Sequence, residues 1–190
     1  RLIEINAVDF GDILLHSYNI LSNNQEIKKS YQNFIEHILI DEFQDTNLIQ
    51  YDLIKLILNS SKNLFCVGDD DQSIYAWRGA NIDNIINFPN EFNCSVVRLT
   101  KNYRSNNSIL KAASSIISNN KNRLGKDLFS FNSNIPEQKI NLNSFYSQEE
   151  ESLWISDNIS KKFKKNNSIG VLVRLTAQMR SIEDKLIKYA

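Results

Sequence analysis

The chain has 190 residues, 42% of them hydrophobic, with 22 Lys plus Arg set against 22 Asp plus Glu. That length suits one ordinary domain or two small ones and is enough to bury a real core. A net charge of zero excludes recognition of nucleic acid through bulk charge, so any basic surface has to be local.

Phe10, Ile13, Leu14, Ser17 and Leu21 recur near the helical period and predict a helix over Val8–Asn23. A further helical segment leads into an apolar strand at His37–Ile40. Thr46 is the expected N-cap of a helix running through Leu58, with Ile49, Leu53, Leu56 and Ile57 on its buried side. Leu64–Val67 reads as the next strand. A short helix starting at Asn81 or Asp83 is expected to stop near Pro89. Ser95–Leu99 reads as a third strand, Asn106–Ser118 as a helix and Lys121–Asn134 as irregular. Ile140–Tyr146 and Ile169–Val173 carry strand patterns, and Gln148–Phe163 and Ala177–Tyr189 carry helical ones. Alternation of strands and helices predicts an α/β fold with a parallel sheet, or two α/β units that meet near Thr100. Cys66 and Cys94 lie in short apolar runs and are expected as buried thiols in strands. No apolar run approaches membrane-spanning length and no signal peptide is visible, so a cytoplasmic protein without membrane contact is expected. Arg1 opens in mid-helix and the helical pattern over Ser181–Ala190 is uncapped, so both ends read as cut.

Three strings carry chemistry. In the first, Leu39-Ile40-Asp41-Glu42-Phe43-Gln44-Asp45, a buried strand ends in two adjacent carboxylates. The rim of an α/β sheet is where ligands bind. One carboxylate there can hold a Mg²⁺ already bound to substrate phosphates, and the next can deprotonate a water. The second string, Val67-Gly68-Asp69-Asp70-Asp71-Gln72-Ser73-Ile74-Tyr75-Ala76-Trp77-Arg78-Gly79-Ala80, also follows a strand. Gln72 both donates and accepts and can sense a terminal phosphate. Tyr75 and Trp77, two apart and next to Arg78, suit a base-stacking platform; the competing reading makes the two rings core residues. In the third string, Leu99-Thr100-Lys101-Asn102-Tyr103-Arg104-Ser105, Arg104 can set a guanidinium against a phosphoryl group and Tyr103 offers a ring to a purine.

In this order and at these separations, the three strings resemble the Walker B motif, motif III and motif IV of the UvrD/Rep branch of superfamily-one DNA helicases. Val8-Asp9-Phe10-Gly11-Asp12-Ile13-Leu14 is similar to that family's Asp-Phe-Asp-Asp-Leu-Leu segment, with Gly11 replacing an acid. Val173-Arg174-Leu175-Thr176-Ala177-Gln178-Met179-Arg180 is similar to its Tyr-Arg-Thr-Asn-Ala-Gln-Ser-Arg segment, with Val173 and Thr176 departing from it. The resemblance covers nearly the whole chain. It implies parts of two incomplete RecA-like parallel-sheet domains of a P-loop NTPase-type helicase core, residues 1–100 ending the first and 101–190 starting the second. It further implies that Asp41 binds Mg²⁺ and Glu42 activates water. Gln72 would read the γ-phosphate of ATP, Arg104 would stabilise charge there, and Tyr103 would stack on adenine. Tyr75, Trp77, Arg78 and Arg174 would contact DNA. The implied activity is ATP-dependent DNA unwinding, 3′ to 5′, on single-stranded and duplex DNA, with repair or replication proteins as partners.

No Gly-x-x-x-x-Gly-Lys-Ser/Thr string occurs, so the phosphate-cradling loop is missing from the sequence. The chain alone is therefore expected not to hydrolyse ATP at a useful rate. A rival reading is a non-catalytic module that binds single-stranded DNA or a protein partner. A third is a metal-dependent phosphoesterase built on Asp41, Glu42 and Asp69. The basic string Lys161-Lys162-Phe163-Lys164-Lys165 reads as a solvated helix end, and Trp154 reads as core.

Overall fold

The computed structural model describes residues 2, 4–61, 63–121, 123–131, 139–164 and 168–189. Two compact units divide the chain, Arg1–Gln138 and Lys139–Ala190. Thr100 belongs to the first of these units.

In the first unit, helix α1 (Phe10–Asn23) starts at a reciprocal cap. The Asp12 N–H donates to the Asp9 carboxylate at 2.7 Å, and the Asp9 N–H donates back to Asp12 at 3.2 Å. Asn24 both ends α1 and caps α2 (Gln25–Phe34). Strand β1 (Ile38–Ile40) runs parallel to β2 (Leu64–Cys66), with Ile38 opposite Leu64 and Ile40 opposite Cys66. Helix α3 (Leu48–Ile57) is the crossover between them. Its cap is Asn47, not Thr46: Asn47 and Gln50 form the reciprocal box, while the Thr46 hydroxyl donates back to the Phe43 carbonyl at 2.8 Å. Gln32 closes the far end of α3 by donating to the Leu56 and Leu58 carbonyls.

The core is aromatic. Phe43, Tyr51 and Phe88 are buried together, with Ile40, Ile54, Leu64, Cys66, Ile85 and Phe92 packed around them. Phe43 meets Phe88 edge-on at 5.1 Å between ring centroids. The deepest residue of α3 is therefore Tyr51, and Ile49, Leu53, Leu56 and Ile57 are only half-buried. The Tyr51 hydroxyl donates to Glu91 at 2.5 Å, and Lys55 pairs with the same carboxylate at 2.7 Å. Burial, then Glu91, pushes the Tyr51 phenol up; Lys55, then Tyr51, holds Glu91 below the usual carboxylate range.

Helix α4 (Asp83–Phe92) runs through Pro89 instead of stopping there. Proline costs one backbone bond, but its carbonyl still accepts the Asn93 and Cys94 N–H groups. Phe92, in the last turn, is pinned by rings at 4.7 Å (Phe88) and 6.3 Å (Tyr51). Cys94 lies outside any strand, and both thiols are free and half-buried. Burial, with Cys94 adding to it, pushes the Cys66 thiol up to about 12.

Beyond Cys94 the expected third strand, Ser95–Leu99, forms no ladder. The pairing occurs later, where β3 (Lys101–Asn102) runs parallel to β4 (Phe129–Ser130) across helix α5 (Asn107–Ile117). So part of the stretch expected to be irregular returns as a strand. Its anchor is the Asn107 side chain, which accepts the Ser130 N–H at 3.1 Å.

In the second unit, α6 (Gln148–Lys162) packs on α7 (Ala177–Leu186). Ser152 and Ser156 are fully buried, and the Ser152 and Ser181 hydroxyls meet at 2.7 Å. Small side chains let the two backbones approach closely. Trp154 lies two positions round the helix from that seam and is 41% exposed, so it is not core; its ring rests on Phe145. Glu149–Glu151 in the first turn and Lys161 and Lys162 in the last complement the helix dipole. Lys161 and Lys162 are exposed as expected; Lys165 lies outside the described residues. Among the described residues, the expected strands at Ile140–Tyr146 and Ile169–Val173 have no ladder partner. Alternation supplies side-chain pattern, but a strand persists only where a neighbour takes its N–H and C=O groups. Leu142 and Leu172 are correspondingly open to solvent. Among the described residues, no helix is long and apolar enough to cross a membrane.

Candidate functional site

Asp41 and Glu42 leave the C-terminal end of β1 exposed to solvent. The Glu42 N–H donates to Asp41 Oδ1 at 2.9 Å. Glu42 has φ 49° and ψ 44°, a left-handed conformation that costs a non-glycine residue about 1–3 kcal/mol. The turn is locked by the Phe43 N–H, which donates to the Val67 carbonyl at 2.9 Å across the parallel pair.

Gln44, only 1% exposed, bridges the two strand ends. Its Nε2 donates to Glu42 Oε2 at 2.8 Å, and its Oε1 accepts the Asp69 N–H at 2.9 Å. Gly68 makes room for this bridge: a Cβ there would stand 2.7 Å from Gln44 Oε1 and 3.2 Å from the Phe43 nitrogen. Sequence reasoning gave Gln44 no role. A neutral polar residue between Phe43 and Asp45 carries no periodic signal for such a bridge. Replacing Gln44 with Leu keeps the volume but leaves the partly buried Asp69 N–H unpaired. A loss of about 1–3 kcal/mol is expected in urea unfolding; unchanged stability would remove Gln44 as the bridge.

Asp69 starts a tight turn over Asp70–Gln72. Its carboxylate accepts from the Asp71 N–H at 3.1 Å and from Gln72 Nε2 at 2.7 Å, and it pairs with Lys126. Burial works to raise this carboxyl, but Lys126 and Gln72 together hold it below its usual range. Gln72 itself is exposed. Five residues on, Trp77 is 74% exposed and Tyr75 half-buried, which removes both from the core. Their rings lie 6.4 Å apart, with the Arg78 guanidinium 4.5 Å from the Trp77 centroid and 5.1 Å from the Tyr75 centroid. Gly79, at φ +89°, turns the chain so that the Asn81 N–H reaches the Thr46 carbonyl at 3.0 Å. The second string is thereby tied back to the first.

Tyr103 and Arg104 follow β3 and are exposed. Asn102 holds the turn by accepting the Arg104 and Ser105 N–H groups at 3.0 and 2.7 Å. The Tyr103 ring lies 4.7 Å from Phe131. Among the described residues, no hydrogen bond or ion pair joins Arg104 to Asp41, Glu42 or Gln72. Arg174 belongs to the second unit, where it lines a cavity of about 100 Å³ with Gln148, Glu151 and Gln178. Among the described residues no cluster of three or more His, Cys, Asp or Glu could cage a metal. An exposed strand-end carboxylate such as Asp41 fits Mg²⁺, which keeps its waters and takes phosphates beside one or two carboxylates.

The description of the UvrD/REP helicase N-terminal domain matches residues 1–93, and that of the UvrD-like helicase C-terminal domain matches residues 97–190. The chain belongs to the UvrD/REP helicase family. Its mixed α/β architecture with short parallel pairs is that of partial RecA-like helicase domains. Over 195 aligned residues it is 43% identical to a "Probable DNA helicase II homolog" of Rickettsia conorii, covering 100% of this chain and 30% of that protein. It is 39% identical to DNA helicase II of Haemophilus influenzae, covering 95% of this chain and 25% of the relative. It is 38% identical to "ATP-dependent DNA helicase PcrA" of Staphylococcus aureus, covering 96% of this chain and 25% of the relative. The chain thus spans 25–30% of the length of these relatives.

Proposed function

We propose that this chain is the nucleotide-sensing and DNA-gripping part of an ATP-dependent DNA-unwinding motor. The observation that carries the reading is the bonded path from Glu42 through Gln44 to Asp69 and Gln72, which ends three residues before the Tyr75–Trp77–Arg78 platform. A change at a terminal phosphate can pass along that path to a surface that stacks bases. Asp41 would hold Mg²⁺, which would supply positive charge for the ATP phosphates, and Glu42 would take the proton of the attacking water. Gln72 reads the γ-phosphate. Arg104 neutralises charge on the transferring group, a role worth about 10³–10⁵ in rate in related chemistry. Tyr103 stacks on adenine, and Arg174 contacts the DNA backbone. Residues 1–100 and 101–190 belong to successive RecA-like domains, a division supported by the change of family match between residues 93 and 97. The motor works in the cytoplasm on single-stranded and duplex DNA, beside repair or replication proteins.

The test is unwinding of a 3′-tailed duplex by the whole protein with ATP and Mg²⁺; no strand separation on any tailed substrate overturns the reading. Trp77→Ala should weaken binding of this chain to a single-stranded oligonucleotide by about 1–3 kcal/mol, roughly 5- to 150-fold, as read by fluorescence anisotropy. Equal affinity in the variant takes Trp77 off the DNA path.

A second reading is a binding module without turnover, which the exposed Trp77 ring with Arg78 against it would serve on its own. It predicts oligonucleotide binding that falls with salt and a whole protein that never consumes ATP. The phosphoesterase reading loses its third acid, because Lys126 and Gln72 occupy Asp69.

A further inference from the structure

The acidic run Asp69-Asp70-Asp71 acquires partners from far along the chain. Arg123 donates from Nε to Asp71 Oδ1 at 2.8 Å and from Nη2 to Asp71 Oδ2 at 2.7 Å, a planar two-point grip. The Leu124 N–H donates to Asp70 Oδ2 at 2.6 Å. Lys126 pairs with Asp69. Three consecutive acids are thus taken by three positions within four residues. Gly125, at φ +68°, supplies the bend between them, and its carbonyl accepts from Arg98 Nη1 at 3.1 Å. The side chains of both ion pairs are 12–21% exposed, so salt screens them less than surface pairs.

The clamp acts directly on Gln72. Asp69 spends one oxygen on Lys126 and the other on Gln72 Nε2. Gln72 is therefore turned back onto its own loop, and a charged acceptor holds it there more firmly than a neutral one would. The clamp also joins two parts that the family matches separate: the acids lie within residues 1–93, and Arg98, Arg123 and Lys126 within 97–190.

We propose that Arg123 and Lys126 are positioning residues for nucleotide sensing, which park Gln72 on Asp69 and couple the acidic loop to the segment that follows residue 97. This rests on the motor reading above. When Gln72 leaves Asp69 for a phosphate, Lys126 keeps Asp69 paired, so the loop moves together with residues 123–126 rather than alone.

The test in the whole protein is ATP turnover with and without saturating single-stranded DNA. Lys126→Met is expected to lower the DNA-stimulated kcat at least tenfold, leave KM for ATP within twofold, and be largely rescued by Lys126→Arg. Stimulated turnover within twofold of wild type in both Lys126→Met and Arg123→Gln overturns the proposal. A wild-type protein with no ATP turnover sinks the motor reading instead, and the clamp is then judged on the 190-residue chain by side-chain NMR. Asp69 faces Lys126, with Asp70, Asp71 and Arg123 nearby in the same cluster. Its carboxyl is held low, so its pairing is intact above the unfolded value, about 3.9, and is lost as pH falls through the folded value. Lys126→Met should move that midpoint up and carry the Gln72 amide resonances with it; an unmoved midpoint overturns the clamp.

Discussion

Glu42→Gln in the whole protein is expected to cut ATP turnover by about 10²–10⁴ while nucleotide affinity stays within a few-fold, the loss that removal of a general base brings. The substitution is nearly isosteric. An amide oxygen at the same place still accepts from Gln44 Nε2, so the bridge to Asp69 survives. Asp41 is untouched, so the carboxylate proposed to hold the metal keeps its place beside the Glu42 N–H. What disappears is basicity at a side chain whose orientation is fixed by buried Gln44. Steady-state turnover and nucleotide titration together check this. Normal turnover would take Glu42 out of the chemistry, and lost affinity would make it a binding group.

Phe43→Ala carries the largest expected stability effect, about 3–5 kcal/mol in urea unfolding of the chain. Phe43 is 1% exposed and touches both Tyr51 and Phe88, so truncation leaves a cavity in the middle of the aromatic cluster. Whole domains are stable by only about 5–15 kcal/mol, so the variant should melt far below the parent or fail to fold. The loss should reach the chemistry as well, since Phe43 lies between Glu42 and Gln44 and its N–H ties β1 to Val67. A change under about 1 kcal/mol would mean that the site can relax around the void, against the geometry of its neighbours.

The sequence made β1 and β2 legible because each is an apolar run ended by a turn residue and followed by an amphipathic helix. The same reading singles out Asp41, Glu42 and Gln72, and the structure links Glu42 to Gln72 through Gln44 and Asp69, two residues the reading does not single out for that link. It failed where order depends on partners distant in the chain. Val97, Leu142 and Leu172 have strand-like neighbours in sequence but no ladder in space. Phe129–Ser130, in a polar stretch, becomes a strand because Lys101–Asn102 lies beside it. Pro89 was read as a helix stop, and the ring stack of Phe88 and Phe92 overrides it. The polar bridge of Gln44 and the grip of Arg123 on Asp71, 52 positions apart, follow no period at all. Such pairs become visible only once the turns that bring them together are known.

The backbone at Glu42 has an evolutionary implication. A side chain forced into a left-handed turn is disfavoured at each folding event, and glycine would settle there more readily. Selection for robustness and selection for chemistry therefore pull position 42 in opposite directions, and only a lineage that still needs the carboxylate resists the easier residue. Among relatives, glycine at this site would mark a copy that has given up the proposed base while remaining soundly folded.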